Sequence, residues 1–396
     1  MSWVWRLIPE KCSICGKKLS KPIKTGHIGF AQHKECYFNF WRSKGKIPTV
    51  PTYRRLKSPA LKTANMNCLR SRFSLNLSDG CPHECVYCYA RAMWPSPPHG
   101  SYFIRSGIVD KVKSFINRSR VIKPVYASPV SDPLASAELT EMTIELARFF
   151  VEKNIPFYLV TKGKIPDEIF EISQNHPFFA VQISLTTLDK DLAHLIEPNA
   201  PPPEVRLNNL RKAKNSGVYT VLREDPFLPL LTDSDQNITE LTEAALDLGV
   251  DHIIGSFMGL KVSSPSHFEY LQLWFQENEL GELEERYKEL FFDKGRVFHG
   301  YRISWDKYRY PKLKLIRNLI LDSKKKTTYG LCMEDIDALL IGNLCEGFRF
   351  PPVKLNRNQK FIPIEGCGGD CRTCLIQCTS KAIQLTLANT LNQTNE

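Results

Sequence analysis

The sequence contains no long apolar run and no low-complexity tract. No stretch approaches the ~20 consecutive apolar residues of a membrane-spanning helix, and 42% hydrophobic with 24% charged residues is typical of a globular protein. The first residues, MSWVWRLIPEKC, lack the apolar segment and small-residue cleavage site of a secretory signal. We therefore expect a cytoplasmic protein that does not bind membranes. Its 396 residues suffice for two or three domains.

Acidic residues are almost absent from residues 11–72, which hold ten Lys and five Arg against one acid, Glu35, for a net charge of +14. The remaining residues 73–396 hold 37 basic and 40 acidic residues, so the net charge of +11 belongs to the N-terminal part. Aromatic residues are interleaved with the basic ones there. Such a segment is typical of nucleic-acid binding, and a solvated basic linker is the alternative.

Disulfides are not expected in the cytosol, so the thirteen cysteines favour metal ligation. Cys12 and Cys15 are followed, after seventeen residues, by His33 and Cys36, and each pair is separated by two residues. Paired Cys and His ligands at this spacing suit tetrahedral zinc, and the spacing resembles the first half of a LIM-type finger or a treble-clef knuckle. Reduced, unliganded thiols are the alternative, and His27 is a less well spaced substitute for His33.

From residue 73 onward, short apolar runs alternate with amphipathic stretches. Six such β–α units predict an α/β fold with a parallel sheet, which we interpret as a partial (β/α)6 barrel. The predicted strands are Phe73–Leu77, Val125–Ser128, Phe157–Thr161, Ala180–Leu185, Thr220–Arg223 and His252–Phe257. The predicted helices include Ser136–Lys153, Asp167–Asn175, Pro203–Ser216 and Asn237–Leu248. Residues 261–330 are expected to be more helical, with an amphipathic stretch at Leu273–Phe292.

Composition and motifs divide the chain into five predicted segments. These are a zinc-finger-like module (1–45), a basic linker that contains three prolines (46–72), the α/β core (73–330), a cysteine-rich auxiliary metal segment (331–386) and a disordered tail (387–396).

Three cysteines follow the first predicted strand in one short loop. Cys81, Cys85 and Cys88 have the spacing C-x3-C-x2-C. Three thiolates on one loop can each bind one iron of a 4Fe–4S cube, which leaves the fourth iron without a protein ligand. An open metal position is typical of a catalytic site, because a substrate or cofactor can bind there. The carboxyl end of a parallel strand is also where α/β folds place their reactive groups.

The core resembles radical S-adenosylmethionine (SAM) enzymes of the spore photoproduct lyase-like group, from Phe73 to about Leu260. The resemblance implies an enzyme that binds a 4Fe–4S cluster and SAM. It depends on motifs that follow the predicted strands in order: DGCPHECVYCYAR (79–91), YASPVSDPL (126–134), VTKGK (160–164), ISLTTLD (183–189), IEPNAPPPEVRL (196–207) and REDPFLP (223–229).

The resemblance also implies roles for individual residues. Cys81, Cys85 and Cys88 would ligate the cluster. Six further residues would bind SAM: Tyr87 and Tyr89 near the adenine, Ser131, Lys162 and Ser184 at the carboxylate, ribose or sulfonium side, and Asp225 at the fifth strand end. Hydroxyl and ammonium groups suit a carboxylate and a ribose. The alternative for the serines is a strand-end cap, and for Lys162 a surface charge.

One position departs from the family pattern. In the photoproduct lyase itself, a cysteine two residues before the Ser-Asp pair supplies a hydrogen atom, and Pro129 occupies that position here. Proline has no thiol hydrogen, so the substrate is expected to differ from the spore photoproduct. Cys68, just before the first strand, is a candidate substitute donor or a structural residue.

The C-terminal segment is again rich in cysteine. Cys367, Cys371, Cys374 and Cys378 lie within EGCGGDCRTCLIQC, whose glycines allow the backbone to wrap closely around a metal. The spacing resembles auxiliary-cluster extensions of other radical SAM enzymes only loosely. A second 4Fe–4S cluster, structural zinc and free thiols are the three interpretations.

Three functions are compatible with these features. The first is a radical SAM enzyme that abstracts a hydrogen atom from nucleic acid, to repair or modify a base or sugar, with electrons from a donor such as a flavodoxin or ferredoxin. The second is the same chemistry on a peptide or protein. The third is a non-enzymatic iron–sulfur or zinc protein that binds nucleic acid and senses redox state; it leaves the ordered strand-end motifs unexplained. The oligomeric state is left open.

Overall fold

The computed structural model describes the core and parts of the preceding segment. The described residues are 23–24, 31–32, 52–55, 59–63, 69, 71–92, 102–264, 266–342 and 345–367. The predicted zinc ligands Cys12, Cys15, His33 and Cys36 lie outside this set, as do Cys68, Cys371, Cys374, Cys378 and the tail from residue 387. In the described part of the chain, no helix is both long and apolar enough to cross a membrane.

A central sheet of eight strands organises the core. Its strands are β1 (Lys62–Thr63), β2 (Phe73–Leu75), β3 (Val125–Ala127), β4 (Phe157–Thr161), β5 (Phe179–Ser184), β6 (Tyr219–Phe227), β7 (His252–Phe257) and β8 (Thr328–Leu331). Strands β2 to β8 are parallel and lie in the sheet in chain order, and β1 pairs antiparallel with β2. All residues of β5 and β7 are buried, as expected of parallel strands covered on both faces.

Helices connect the parallel strands. They are α1 (Ile108–Arg118), α2 (Ala137–Lys153), α3 (Asp167–Ser173), α4 (Lys190–Ile196), α5 (Pro203–Asn215), α6 (Asp235–Leu248), α7 (Ser266–Glu277), α8 (Glu282–Lys288) and α9 (Asp306–Asp322). Capping residues fix several ends. Ser136 and Ser234 accept hydrogen bonds from the first turns of α2 and α6, and α6 ends at Gly249, whose φ of 70° suits glycine.

Smaller sheets surround the central one. They comprise Ile23–Lys24 with Ala31–Gln32, Thr52–Arg55 with Phe103–Ser106 and Ser78–Asp79, Gly259–Lys261 with Tyr301–Ile303 and Arg296–Phe298, and Val121–Ile122 with Val353–Leu355 and Phe361–Pro363. Three short helical turns, Tyr89–Ala92, Glu289–Asp293 and Asp337–Leu339, complete the elements. Two stretches of the segment predicted as a basic linker, 52–55 and 62–63, are thus strands paired with the core.

All six predicted parallel strands are present within a few residues of their predicted ends, and the α/β class is confirmed. The seventh strand, β8, was not predicted, because it is short and contains Gly330. That glycine is needed for a close approach, since a Cβ there would lie 2.1 Å from the carbonyl oxygen of Cys345. The amphipathic stretch Leu273–Phe292 is divided between α7, α8 and a π turn.

A buried ion pair joins the two outer parallel strands of the sheet. Among the described residues, β2 and β8 do not hydrogen-bond to each other. Arg72 precedes β2, and its guanidinium pairs with Glu346, which lies in the segment that follows β8. The same guanidinium lies 4.4 Å from the ring centroid of Tyr158 on β4. Side chains therefore connect two strands that backbone hydrogen bonds do not.

We predict that Arg72→Met lowers the free energy of unfolding by about 3–5 kcal/mol, because it leaves the Glu346 carboxylate buried without its partner. Urea denaturation measures the change. The control is Arg148→Met, which breaks an exposed pair with Glu168 and should cost less than about 1 kcal/mol. Equal losses in the two variants would contradict the role of burial.

Candidate active site

The cysteine loop begins directly after the first parallel strand and a short strand at Ser78–Asp79. Gly80 has a φ of 81°, a left-handed conformation that favours glycine, and it turns the chain into the loop. The amide of Cys88 donates to the carbonyl oxygen of Cys85 at 3.1 Å. Cys85 is buried, whereas Cys81 and Cys88 are half-buried. The loop thus presents three thiols from one compact turn.

A second segment, between α4 and α5, holds this loop by backbone contacts. The amide of Val86 donates to the carbonyl of Ile196 at 3.0 Å, and the amide of Asn199 donates to the carbonyl of His83 at 3.3 Å. The side-chain amide of Asn199 also donates to Glu84 at 2.8 Å. The IEPNAP motif is therefore in direct contact with the cysteine loop, a pairing that sequence separation alone does not reveal.

Asp132 connects the loop to the ends of β3 and β4. Its carboxylate accepts hydrogen bonds from the Thr161 hydroxyl and the Lys162 amide, both at 2.7 Å, and it lies 3.3 Å from Nε2 of His83. Burial alone would raise the pKa of Asp132, but His83 and these hydrogen bonds outweigh burial and lower the pKa to about 2. Sequence analysis missed this residue, although it directly follows Ser131 in the SPVSDPL motif.

Glu197 is a second buried carboxylate beneath the loop. It accepts hydrogen bonds from the Tyr87 hydroxyl and the Arg206 guanidinium, and the Lys162 ammonium lies 3.7 Å away. Burial acts to raise the pKa of Glu197, but Arg206 and Lys162 hold it below its ordinary value. Glu197 and Arg206 were not predicted as site residues, although both lie within the IEPNAPPPEVRL motif.

One cavity of about 290 Å³ brings the predicted residues together. It lies at the carboxyl ends of the parallel strands, as expected for this class of fold. Among its lining residues are all nine predicted cluster and cofactor residues of the core: Cys81, Cys85, Cys88, Tyr87, Tyr89, Ser131, Lys162, Ser184 and Asp225.

The two tyrosines line this cavity with their hydroxyls directed into the protein. The Tyr87 hydroxyl donates to Glu197, and the Tyr89 hydroxyl donates to the carbonyl of Pro129. The ring of Tyr89 also makes an edge contact with Tyr301, at 6.0 Å between centroids. The rings rather than the hydroxyls therefore remain to face a ligand.

The wall of the cavity formed by β6 and β8 is charged and contains a further thiol. Arg223 pairs with Asp225, donates to Gln182 at 2.8 Å and lies 3.4 Å from the Cys332 sulfur. Cys332 and Cys345 both line the cavity, although sequence analysis placed them in the cysteine-rich segment. Cys367 is not among the lining residues, and its amide donates to the carbonyl of Ile364 at 3.3 Å.

Three thiols on one loop are a donor set whose chemistry suits an iron–sulfur cube. Burial raises the pKa of Cys81 and raises that of Cys85 to about 12, and the positive charge of a bound metal would favour their thiolate forms. In the described ranges, no group of three His, Cys, Asp or Glu residues could hold a single metal ion. A cube does not require the three sulfurs to converge on one ion, because each binds a different iron.

Comparison with known families gives one domain match. The model of the radical SAM superfamily matches residues 75–245, which run from β2 into α6 and include the cysteine loop.

Two curated proteins are among the relatives in sequence. An uncharacterized protein of Acidianus two-tailed virus is 26% identical over 251 residues, 58% of this chain and 81% of that protein. A protein of Pseudomonas phage M6 named radical SAM Nalpha-GlyT isomerase is 23% identical over 198 residues, 49% of this chain and 41% of that protein.

Solved structures of spore photoproduct lyase have a similar fold. A variant of that enzyme with bound AdoMet and dinucleoside spore photoproduct superposes with a TM-score of 0.55 at 15% sequence identity. The match covers 74% of this chain and 92% of the lyase chain. The agreement extends beyond the region matched by the family model.

We predict that Asp132→Asn flattens the acid limb of the stability profile. The depressed pKa of Asp132 contributes stability that is complete above its ordinary value of 3.8 and is lost as the pH falls through about 2. The native chain should therefore lose on the order of 2 kcal/mol more than the variant in this pH window. Urea denaturation at stepped pH measures this loss.

The control for this prediction is Asp167→Asn, which removes a carboxylate from an exposed pair with Lys212. Its acid limb should follow that of the native chain. If the acid limb of Asp132→Asn also matches that of the native chain, the Asp132 carboxylate does not contribute this stability.

Proposed function

Since the chain is a radical SAM enzyme with the fold of spore photoproduct lyase, we propose that it cleaves SAM reductively at a 4Fe–4S cluster bound by Cys81, Cys85 and Cys88. We further propose that the resulting radical abstracts a hydrogen atom from nucleic acid, in repair or modification of a base or sugar. The observation that carries the proposal is that all nine predicted residues line the same cavity at the strand ends.

The polar residues of the cavity match the parts of SAM. The Lys162 ammonium suits the carboxylate, and the hydroxyls of Ser131 and Ser184 suit the carboxylate or the ribose. The Ser131 oxygen is buried and has no hydrogen-bond partner among the described residues. A buried hydroxyl without a partner is costly, and a ligand that accepts its hydrogen bond would remove this cost.

A cluster held by Cys81, Cys85 and Cys88 would supply the electron for reductive cleavage of SAM, and SAM would supply the group that abstracts hydrogen. The protein provides position and exclusion of water. Cys85, Val86 and Tyr87 are buried in one apolar cluster with residues of α7, α8 and the following π turn. This packing shields the loop from solvent, which protects a reactive intermediate from side reactions.

Nucleic acid is the proposed substrate class for two reasons. Residues 11–72 carry a net charge of +14, which suits a phosphate backbone. The lyase to which the core is similar was solved with a dinucleoside photoproduct. Pro129 lines the cavity in place of the hydrogen-donating cysteine, so we propose a substrate other than that photoproduct.

Metal sites at both ends of the chain complete the proposal. Cys12, Cys15, His33 and Cys36 are proposed to bind zinc in an N-terminal module that contacts nucleic acid. Cys367, Cys371, Cys374 and Cys378 are proposed to bind a second 4Fe–4S cluster or zinc. A flavodoxin or ferredoxin is the proposed electron donor in the cytoplasm.

We predict that the reconstituted, reduced protein converts SAM to 5′-deoxyadenosine and that Cys85→Ala abolishes this conversion, because one iron loses its ligand. Chromatography of the products under anaerobic conditions measures it. Ser173→Ala is the control, since that buried hydroxyl bonds only to carbonyls of its own helix, α3. No 5′-deoxyadenosine from native protein with an intact cluster would refute the proposed reaction.

We predict that changing Lys17, Lys18, Lys21 and Lys24 to Gln weakens binding of an oligonucleotide and reduces the salt dependence of binding. Each lost phosphate contact should lower the slope of log K against log salt by about 0.7–0.9. Fluorescence anisotropy at stepped salt concentrations measures both quantities.

The control for this charge variant removes four exposed lysines of the core, at positions 307, 314, 324 and 326. It should leave the slope unchanged. An equal fall in both variants would show that net charge alone, rather than the N-terminal segment, determines binding.

A further inference from the structure

Glu197 contacts side chains from three separate elements of the site. Tyr87 belongs to the cysteine loop, Lys162 follows the end of β4, and Arg206 lies on α5. The Glu197 side chain is completely buried, and that of Arg206 is 1% exposed. Arg206 also donates to the carbonyl of Ser184 at 3.3 Å and to that of Pro201 at 2.7 Å. One carboxylate and its partner guanidinium thus contact three of the six proposed SAM-binding residues.

The charges of this group do not cancel. Lys162 and Arg206 carry two positive charges against one negative charge on Glu197. Arg206 is sealed beneath the loop, whereas the Lys162 side chain is 14% exposed and lines the cavity. Lys162 is therefore the cationic member of this group that faces the cavity, where an anionic group of a ligand would meet it. Glu197 fixes the position of that charge without neutralising the group as a whole.

Tyr87 ties the same carboxylate to the proposed cluster ligands. It lies between Cys85 and Cys88 in the chain, and its carbonyl oxygen faces Nε2 of His267 at 3.2 Å. The Tyr87 hydroxyl donates to Glu197. Contacts at its backbone carbonyl and at its hydroxyl therefore fix the orientation of the Tyr87 ring. The Lys162 ammonium lies 5.7 Å from the centroid of the same ring, which adds a direct contact between the lysine and the loop.

We propose that Glu197 is a positioning residue that orients Tyr87 and Lys162 together, and thereby aligns the cysteine loop with the carboxylate-binding end of SAM. This inference rests on the proposed function. In this arrangement the buried Glu197 carboxylate sets both the geometry of the cysteine loop and the position of the Lys162 ammonium. A residue with a merely structural role would affect stability but would leave SAM binding unchanged in folded protein.

The first variant is Glu197→Gln, which keeps the size of the side chain and removes its charge. The backbone hydrogen bonds from Val86 to Ile196 and from Asn199 to His83 remain, so the loop should stay attached. We expect the dissociation constant of SAM to rise about tenfold in equilibrium dialysis. We also expect a reduced SAM-induced change in the electron paramagnetic resonance spectrum of the reduced cluster.

A measurement without any cofactor provides an independent readout. The Cys85 thiol is buried, and cluster-free protein allows its reactivity to be measured directly. If Glu197 holds the loop, alkylation of Cys85 by N-ethylmaleimide should be about tenfold faster in Glu197→Gln, as measured by mass spectrometry of the modified peptide. Either an unchanged alkylation rate or native SAM affinity in Glu197→Gln would overturn the proposal.

A double variant separates positioning from stability. Replacing both Glu197 by Leu and Arg206 by Met removes the two partners of the buried pair together, so that neither is left buried without the other, a change that is often neutral or stabilising; the partly exposed Lys162 ammonium remains at the cavity. We expect normal thermal unfolding but weak SAM binding, because Tyr87 and Lys162 have lost their common acceptor. Native SAM affinity in this variant would show that the pair is structural only.

The matched control is Glu224→Gln, a substitution of the same kind at another fully buried glutamate. Glu224 accepts a hydrogen bond from Thr242 on α6 and is not among the residues that line the cavity. Burial raises its pKa to about 8, so at neutral pH glutamine closely resembles the protonated side chain. Loop alkylation and SAM binding should both be native in this control.

The outcomes also distinguish this inference from the proposed function. If native protein with an intact cluster neither binds nor cleaves SAM, the proposed function fails, whatever the alkylation rates are. If native protein binds SAM and Glu197→Gln binds it equally well, the proposed function stands and only the positioning role is refuted.

Discussion

Parallel pairing of β2 to β8 is the constraint on which the rest of the structure depends. Because neighbouring strands run in the same direction and follow one another in the sheet, all seven carboxyl ends open onto the same side. Each following loop is thereby directed to one place. The three thiols, Lys162, Ser184 and Arg223 are separated by up to about 140 residues in the chain, and they still line one cavity.

Several strand ends bring polar groups to this cavity, and those groups need hydrogen-bond partners where they are buried. Asp132 does so for the ends of β3 and β4, and Glu197 does so for the loop and α5. Both carboxylates remain charged because donors surround them, although burial disfavours the charge. The electrostatic environment of the cysteine loop therefore depends on two buried carboxylates, of which Asp132 lines the cavity and Glu197 does not.

Sequence analysis predicted the parts of the structure that local signals encode. The apolar runs of buried strands and the cysteine spacing are local signals, so six strands and the position of the loop were predicted. Contacts between distant segments were not. The hydrogen bond between Asn199 and Glu84 of the loop, and the position of Cys332 in the cavity, depend on tertiary packing. A short stretch of sequence does not encode such contacts. Strand β8 was not predicted because it contains Gly330, a residue type that does not favour strands. Glycine is present there because the backbone of Cys345 approaches it closely.

The ion pair between Arg72 and Glu346 has a consequence for the extent of the folding unit. The region matched by the family model, residues 75–245, contains neither partner and ends before β7 and β8. A fragment with those bounds would expose the edge of β6 and the polar interior that the missing strands cover, including Arg223 and Gln182. A fragment that keeps this ion pair and covers the edge of β6 would therefore reach from before Arg72 to beyond Glu346, well outside the bounds of the family match.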